Sequence, residues 1–195
     1  MTPDKTPLVL ASSSPRRQEL LKGLGLTFSV DPADVDETPH KNELPLVYVR
    51  RVAIDKVLTV AGRHPGTLVL GADTTVAVGR RILGKADSAE EAATMLRLMS
   101  GRRHRVFTTV ALALPDGTCK AKTTNTVVRF RPLTEAMITA YVSHAPNWRG
   151  LAGAYGLQTA TGGALVAAIN GSVSGVVGLP LVETVNLLRS AGLDV

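Results

Sequence analysis

Residues Thr67–Lys85 read TLVLGADTTVAVGRRILGK, and the fold turns on how that stretch is divided. Residues 67–70 predict an apolar strand that runs into the small pair Gly71-Ala72 and then Asp73. A second β-stretch follows, with a turn near Gly79-Arg80. Two kinds of pattern meet here. Before the stretch, short strands alternate with helices. After it, two long strands flank a tight turn.

Upstream, Leu8–Ala11 is a short buried strand. A helix runs from Pro15 to about Leu24, with Ser14 at its N-cap and Leu20, Leu21 and Leu24 on its apolar face. Gly23 or Gly25 can end it. Residues 27–43 predict a strand and then an acid-rich loop. A second helix starts near Pro45, where Val49, Val52, Ala53, Val57 and Val60 recur at helical spacing, and GRHPG stops it.

Downstream, Ser88 and Glu91 form a capping box for a helix over 89–99, with Ala92, Met95, Leu96 and Met99 in one stripe. Strands 104–114 and 118–130 surround the turn Pro115-Asp116-Gly117. Thr134 caps a helix carrying Met137, Ile138, Tyr141 and Val142. A Gly-rich stretch, 150–163, leads to a strand at 164–169 and then a loop, GSVSGVVGLP. Pro180 opens the last helix, which ends near Gly192. The expected class is α/β, a mixed twisted sheet flanked by helices, in one domain over 1–195.

Composition narrows the functions. The net charge of +6 suits a polyanionic partner, a nucleic acid or a nucleotide. Aromatic residues make up only 4%, thin for a surface that stacks bases of a single strand, so no stable nucleic-acid partner is expected. No apolar run approaches the roughly 18 residues that span a bilayer. Residues 1–7 carry no apolar segment behind a basic flank, and a cytoplasmic protein is expected. The single Cys119 excludes an internal disulfide and a Cys-rich zinc site. The four histidines lack zinc-ligand spacing, and neither a P-loop nor a nucleophile elbow is present.

Several residues carry chemistry. Ser12–Arg17 (SSSPRR) brings three hydroxyls, the unbonded N–H groups of a helix start and two guanidiniums together. Cations at that end of a helix cost about 0.3–1 kcal/mol, so either Arg16 and Arg17 tolerate a small penalty or an anion belongs there. Asp73 reads as a cleft carboxylate that holds a metal or orients water, or as a turn former. Lys56 shares a face with Val52 and Ala53, where a lysine either snorkels to solvent or meets an anion. Lys85 follows a turn. Glu37 lies in an acidic loop, either solvated or aimed at a metal or a lysine. Gln158, in the Gly-rich stretch, offers a donor and an acceptor to a nucleobase edge, or sits in a plain connection.

Taken together, the chain resembles the Maf family of nucleoside triphosphate pyrophosphatases. The matching blocks, in order, are LASSSPRRQELL, DVDETP, YVRRVAIDK, GADTTV, ILGKADSAEEAATML, SGRRHRVFT, TVVRFRPL, AGAYGLQ and INGSVSGVVGLPLVET. The resemblance implies an α/β fold with two lobes around a cleft, similar to inosine triphosphate pyrophosphatases. It implies hydrolysis between the α- and β-phosphates of a nucleotide with a divalent cation, Mg²⁺ or Mn²⁺; Asp73 and Glu37 are the candidate metal ligands, with Asp73 directing the water itself or through the metal and Glu37 serving the metal or the lysines. By that likeness Asp73 is the proton acceptor, and Glu37, Lys56 and Lys85 are active-site positions. Ser12 and Arg17 fall on the phosphate side; Arg16, Thr74 and Gln158 bear on base choice. SPRR, GADT and AGAYGLQ resemble the branch acting on dTTP and UTP, with modified pyrimidine nucleotides as further candidates. A homodimer is common in similar proteins. The sequence departs from the family pattern at Ala86, after Lys85, and at Thr159, after Gln158. A binding module without turnover is the competing reading.

Overall fold

The computed structural model describes residues 7–195, so the leader expectation for residues 1–7 lies almost wholly outside the described residues. The elements are β1 (Leu8–Leu10), α1 (Pro15–Lys22), β2 (Ser29–Val30), α2 (Pro45–Ala61), β3 (Leu68–Val78), β4 (Arg81–Leu83), α3 (Ala89–Met99), β5 (Arg103–Ala113), β6 (Cys119–Phe130), α4 (Glu135–Val142), α5 (Ala160–Gly163), β7 (Val166–Asn170), α6 (Val173–Val177) and α7 (Leu181–Arg189). The strands pair in the order β2-β1-β3-β5-β6-β7, with β4 also on β3. β1 is parallel to β2 and β3, while β4 on β3 and β7 on β6 are antiparallel, so the sheet is mixed as expected.

The chain forms two compact units. The first holds the chain through Asp73, Thr108–Thr123 and Gly178–Val195; the second holds Thr74–Phe107 and Thr124–Val177. In the first unit, strand alternation sorts the core into two layers. Leu8, Leu10, Leu68, Leu70 and Ala72 pack with Leu21 of α1 and Leu187 and Leu188 of α7. Val9, Ala11 and Val69 face the other way and pack with Ala53, Val57 and Val60 of α2. In the second unit Ala92, Leu96 and Met99 of α3 and Ile138 and Tyr141 of α4 share a core with Val106, Val128 and Phe130. His104 is buried there; its Nε2 lies 2.9 Å from the Tyr155 hydroxyl, and burial lowers its pKa to about 4.

The structure corrects the sequence at Gly71. The expected strand end does not exist: β3 runs unbroken for eleven residues through Asp73. Gly71 read as punctuation because glycine weakens strands, but here it serves close packing. A Cβ at Gly71 would sit 2.6 Å from Val57 Cγ2 and 3.4 Å from Ala11 Cβ. The missing side chain lets α2 approach β3. Other differences are local. Ser14 occupies the N-cap of α1 without a side-chain cap bond, its own N–H instead reaching Ser12 Oγ at 3.3 Å. The stretch read as a loop, GSVSGVVGLP, contains the short helix α6, whose Gly175 N–H donates to Ser172 Oγ. Pro180 is the N-cap of α7, and that helix stops at Arg189.

Because the contact at Gly71 is so tight, Gly71→Ala is expected to destabilise the protein by about 1–3 kcal/mol in urea unfolding. In a Val57→Ala background, which opens the space, the same change is expected to cost less than about 1 kcal/mol. Equal costs in both backgrounds would contradict this packing account.

Candidate active site

α2 and β3 position the centre of the site. Along α2 the buried positions Val49, Val52, Ala53, Lys56, Val57 and Val60 lie on one face. Along β3, Val69, Gly71 and Asp73 share the face turned to that helix, because alternate strand residues do. With α2 drawn in at Gly71, Lys56 does not snorkel. Its Nζ donates to Asp73 Oδ1 at 2.8 Å and lies 2.9 Å from Glu37 Oε1. Both the Lys56 and Asp73 side chains are less than a tenth exposed, and that of Glu37 is 40% exposed. One buried ammonium therefore holds two carboxylates together. Glu37 is thus the carboxylate aimed at a lysine, and not a merely solvated loop acid.

The start of α1 supplies a second cation. Arg17 is half-buried; its Nε donates to the Gly178 carbonyl at 2.9 Å and its NH1 to the buried Ser12 Oγ at 3.1 Å. Burial lowers the Arg17 pKa from its ordinary value, the neighbouring carboxylates of Asp73 and Glu37 raise it, and Arg16 lowers it. Arg16 is also half-buried and is lowered by burial. Of the two arginines at this helix start, Arg17 is thus accounted for within the protein: it is tethered by a carbonyl and a hydroxyl, and faces the field of two carboxylates. That field, together with the hydrogen bonds, opposes the small dipole cost.

The acidic loop that carries Glu37 lies along α2. The Tyr48 hydroxyl donates to the Glu37 carbonyl at 2.8 Å. Arg51 grips Glu43 through Nε and NH2 at 2.8 and 2.9 Å, and NH2 also reaches the Thr38 carbonyl at 3.1 Å. Arg51 holds the Glu43 carboxyl down at a pKa of about 2. Burial, followed by the charges of Asp73 and Glu37, pushes the Tyr48 phenol up to about 12. At the other end of the loop Asp31 takes both Arg63 and His64. Sequence reading missed Tyr48, Arg51 and Glu43. Their signal was present: polar side chains at helical spacing on α2, preceded by a loop of opposite charge.

Lys85, Thr74 and Gln158 lie in the second unit. Lys85 is exposed, and its backbone bridges to Ala152. The next residue, Gly153, donates to the carbonyls of Leu83 and Gly84. It takes φ +67, with Val76 side-chain atoms at 2.9–3.0 Å from where a Cβ would be, so only glycine fits. The AGAYG stretch is thereby fastened to the end of β4, next to Lys85. Gln158 is exposed, and its amide folds over Gly156, whose Cβ would meet Nε2 at 3.1 Å. Thr159, the departure from the family pattern, caps α5: its hydroxyl accepts from Gly162 N and donates to the Gly156 carbonyl, both at 3.0 Å.

Among the described residues no group of three or more His, Cys, Asp and Glu side chains could hold a metal ion. Asp73 and Glu37 alone are therefore no all-protein cage. They fit a Mg²⁺-like cation that keeps several waters and takes one or two carboxylates together with substrate phosphates.

The fold and these side chains define a class: a mixed α/β protein in which a buried lysine bridges a buried and a half-buried carboxylate beside an arginine-bearing helix start. Residues 7–191 match the family described as Maf-like protein, and the chain belongs to that family. It is 50% identical over 186 residues to the dTTP/UTP pyrophosphatase of Caulobacter vibrioides, covering 95% of each chain. To the dTTP/UTP pyrophosphatase of Myxococcus xanthus it is 51% identical over 193 residues, covering 99% of this chain and 96% of that one. Among solved structures it is similar to a HAM1 protein from Coxiella burnetii, with TM-score 0.46 and 18% identity over 64% of this chain and 73% of that one.

Removing one partner of a buried ion pair leaves the other charge uncompensated, at a typical cost of about 3–5 kcal/mol. Lys56→Met is therefore expected to lower the unfolding free energy by about 3 kcal/mol or more in denaturant titration. A loss below about 0.5 kcal/mol, the range of ordinary surface substitutions, would contradict the burial of this pair.

Proposed function

We propose that the chain hydrolyses nucleoside triphosphates, dTTP and UTP foremost and modified pyrimidine nucleotides with them, to the monophosphate and pyrophosphate. The observation that carries this reading is the Lys56 ammonium bonded to both Asp73 and Glu37, with Arg17 in their field. A pure anion-binding module gains nothing from carboxylates placed beside its cations, because they repel phosphate. A hydrolase needs one to take a proton from water. The names carried by the relatives at half identity support the same reading.

In the proposed reaction, water attacks the α-phosphorus, the bond from that phosphorus to the oxygen bridging the α- and β-phosphates breaks, and pyrophosphate departs. The proton of the water passes to the Asp73 carboxylate. Asp73 is suited to this because Lys56 and the strand fix its orientation before substrate arrives, and positioning supplies much of the rate in such chemistry. Lys56 and Arg17 offset negative charge, which the substrate brings in excess. A divalent cation, Mg²⁺ or Mn²⁺, bound with Asp73 and Glu37, would neutralise phosphate charge. Ser12 belongs to the phosphate side through its bond to Arg17. Lys85, Arg16, Thr74 and Gln158 enter through the family likeness, Lys85 toward the phosphates and the other three toward the base. Among the described residues no helix is long and apolar enough to cross a membrane. A cytoplasmic location and a homodimer complete the proposal, the second to be checked by light scattering.

One nucleotide panel, read as pyrophosphate release, tests the reading. With Mg²⁺ or Mn²⁺ the protein is expected to turn over dTTP and UTP ahead of GTP, and chelation is expected to stop it. Asp73→Asn, which keeps an acceptor for Lys56, is expected to lose roughly 10²–10⁴-fold in turnover. Arg16→Ala and Gln158→Glu are expected to reorder the nucleotides more than they slow the reaction. Tight oligonucleotide binding with no turnover anywhere in the panel would favour the binding module instead.

A further inference from the structure

The Glu37 carboxylate is 40% exposed and sits on a loop, yet it meets Lys56 at 2.9 Å. Something must hold it there, since an exposed loop side chain has many rotamers and gains little from one ion pair. α2 supplies the hold. Tyr48 is only 8% exposed and donates its hydroxyl to the backbone carbonyl of Glu37 itself. Three residues on along the helix, Arg51 takes the next carbonyl, that of Thr38, and both oxygens of Glu43. The Glu43 side chain is 5% exposed, and its Oε2 also accepts the His40 N–H at 2.9 Å, closing the loop on itself. The Arg51 guanidinium lies 5.7 Å from the centre of the Tyr48 ring, so the two grips brace each other. Asp36 Oδ1 accepts the Thr38 N–H, which fixes the turn around Glu37. The two carbonyls that follow the Glu37 side chain are thus pinned to the same helix that carries Lys56.

We propose that Tyr48 and the Arg51–Glu43 pair are positioning residues for the reaction, setting the Glu37 carboxylate against Lys56 through the backbone of its own loop. The inference rests on the pyrophosphatase reading and extends it to residues that touch no substrate. Partners that orient a functional carboxylate are typically worth 10–100-fold in activity or metal affinity. Tyr48→Phe removes one hydroxyl and keeps the ring. Arg51→Lys keeps the charge but not the fork that spans Glu43 and Thr38 together.

The test is a cycle of kinetic measurements with dTTP and Mg²⁺, run on wild type, Tyr48→Phe, Glu37→Gln and the double variant, with thermal melts of each. Glu37→Asp serves as a second background, so that a very slow Glu37→Gln does not leave the cycle open. Tyr48→Phe is expected to lower kcat roughly 10-fold with KM within about 2-fold. In either Glu37 background the same substitution is expected to change kcat by less than about 2-fold, because the group it positions is already gone or displaced. Arg51→Lys is expected to fall on the same side and to be silenced in the same way. A Tyr48→Phe loss of equal size in all backgrounds, or no loss in any, overturns the inference while leaving the pyrophosphatase reading intact. A wild type that releases no pyrophosphate from any nucleotide overturns both.

Discussion

A lysine amine buried between two carboxylates is the interaction on which the site depends. Lys56 brings together Asp73 from the middle of a strand and Glu37 from a loop, two groups that would otherwise repel each other. The arrangement is costly to assemble, since burying charges forfeits hydration, and it holds only where geometry and further hydrogen bonds compensate. Here the geometry comes from packing. Gly71 has no side chain, so α2 settles against β3 at the Val57 side chain, and the lysine one residue before Val57 lands on the aspartate two residues after Gly71. A feature of core packing thus sets the position of the Asp73 carboxylate.

The surrounding groups read as a response to that charge. The triad of Glu37, Asp73 and Lys56 carries one excess negative charge, and Arg17 stands in its field, tied to Gly178 and Ser12. A polyphosphate entering such a site adds far more negative charge than these two cations offset. In the proposed reaction a divalent cation and further basic side chains would offset that imbalance. The acidic loop takes its architecture from α2. The loop is held by Tyr48, Arg51, Lys56, Arg63 and His64, all from α2 or the turn after it, so one helix organises both the core contact and the loop that completes the site.

Much of this was legible in the sequence, for identifiable reasons. The capping box at Ser88 and Glu91 and the stripe after it predicted α3 over its observed span, because both signals are local. The Pro115–Gly117 turn was equally plain, since turn chemistry is written in single residues. Asp73, Glu37 and Lys56 were named as candidates, but a sequence cannot show that a lysine on an apolar helix face meets carboxylates 17 and 19 residues away in the chain. Gly71 misled, because glycine as breaker and glycine as close-packing residue look alike until the partner helix is seen. The short helices α5 and α6 were missed for want of periodicity: four or five residues, three of the four in α5 and two of the five in α6 being Gly, Ser or Thr, are too few to repeat an apolar face. Tyr48 was passed over because its partner is a backbone carbonyl, which leaves no trace in side-chain patterns, whereas the Arg51–Glu43 pair was open to charge patterning on α2 and the loop before it.

The most direct measurement of the central claim is a crystal structure with a dTTP analogue whose α–β bridge resists hydrolysis, grown with Mg²⁺. The account predicts the α-phosphorus over the Asp73 carboxylate, with a water between them in line with the bridging atom, and Lys56 still bonded to both acids. A nucleotide bound with its phosphates away from Asp73, or a Lys56 released from the two carboxylates to solvent, would contradict it.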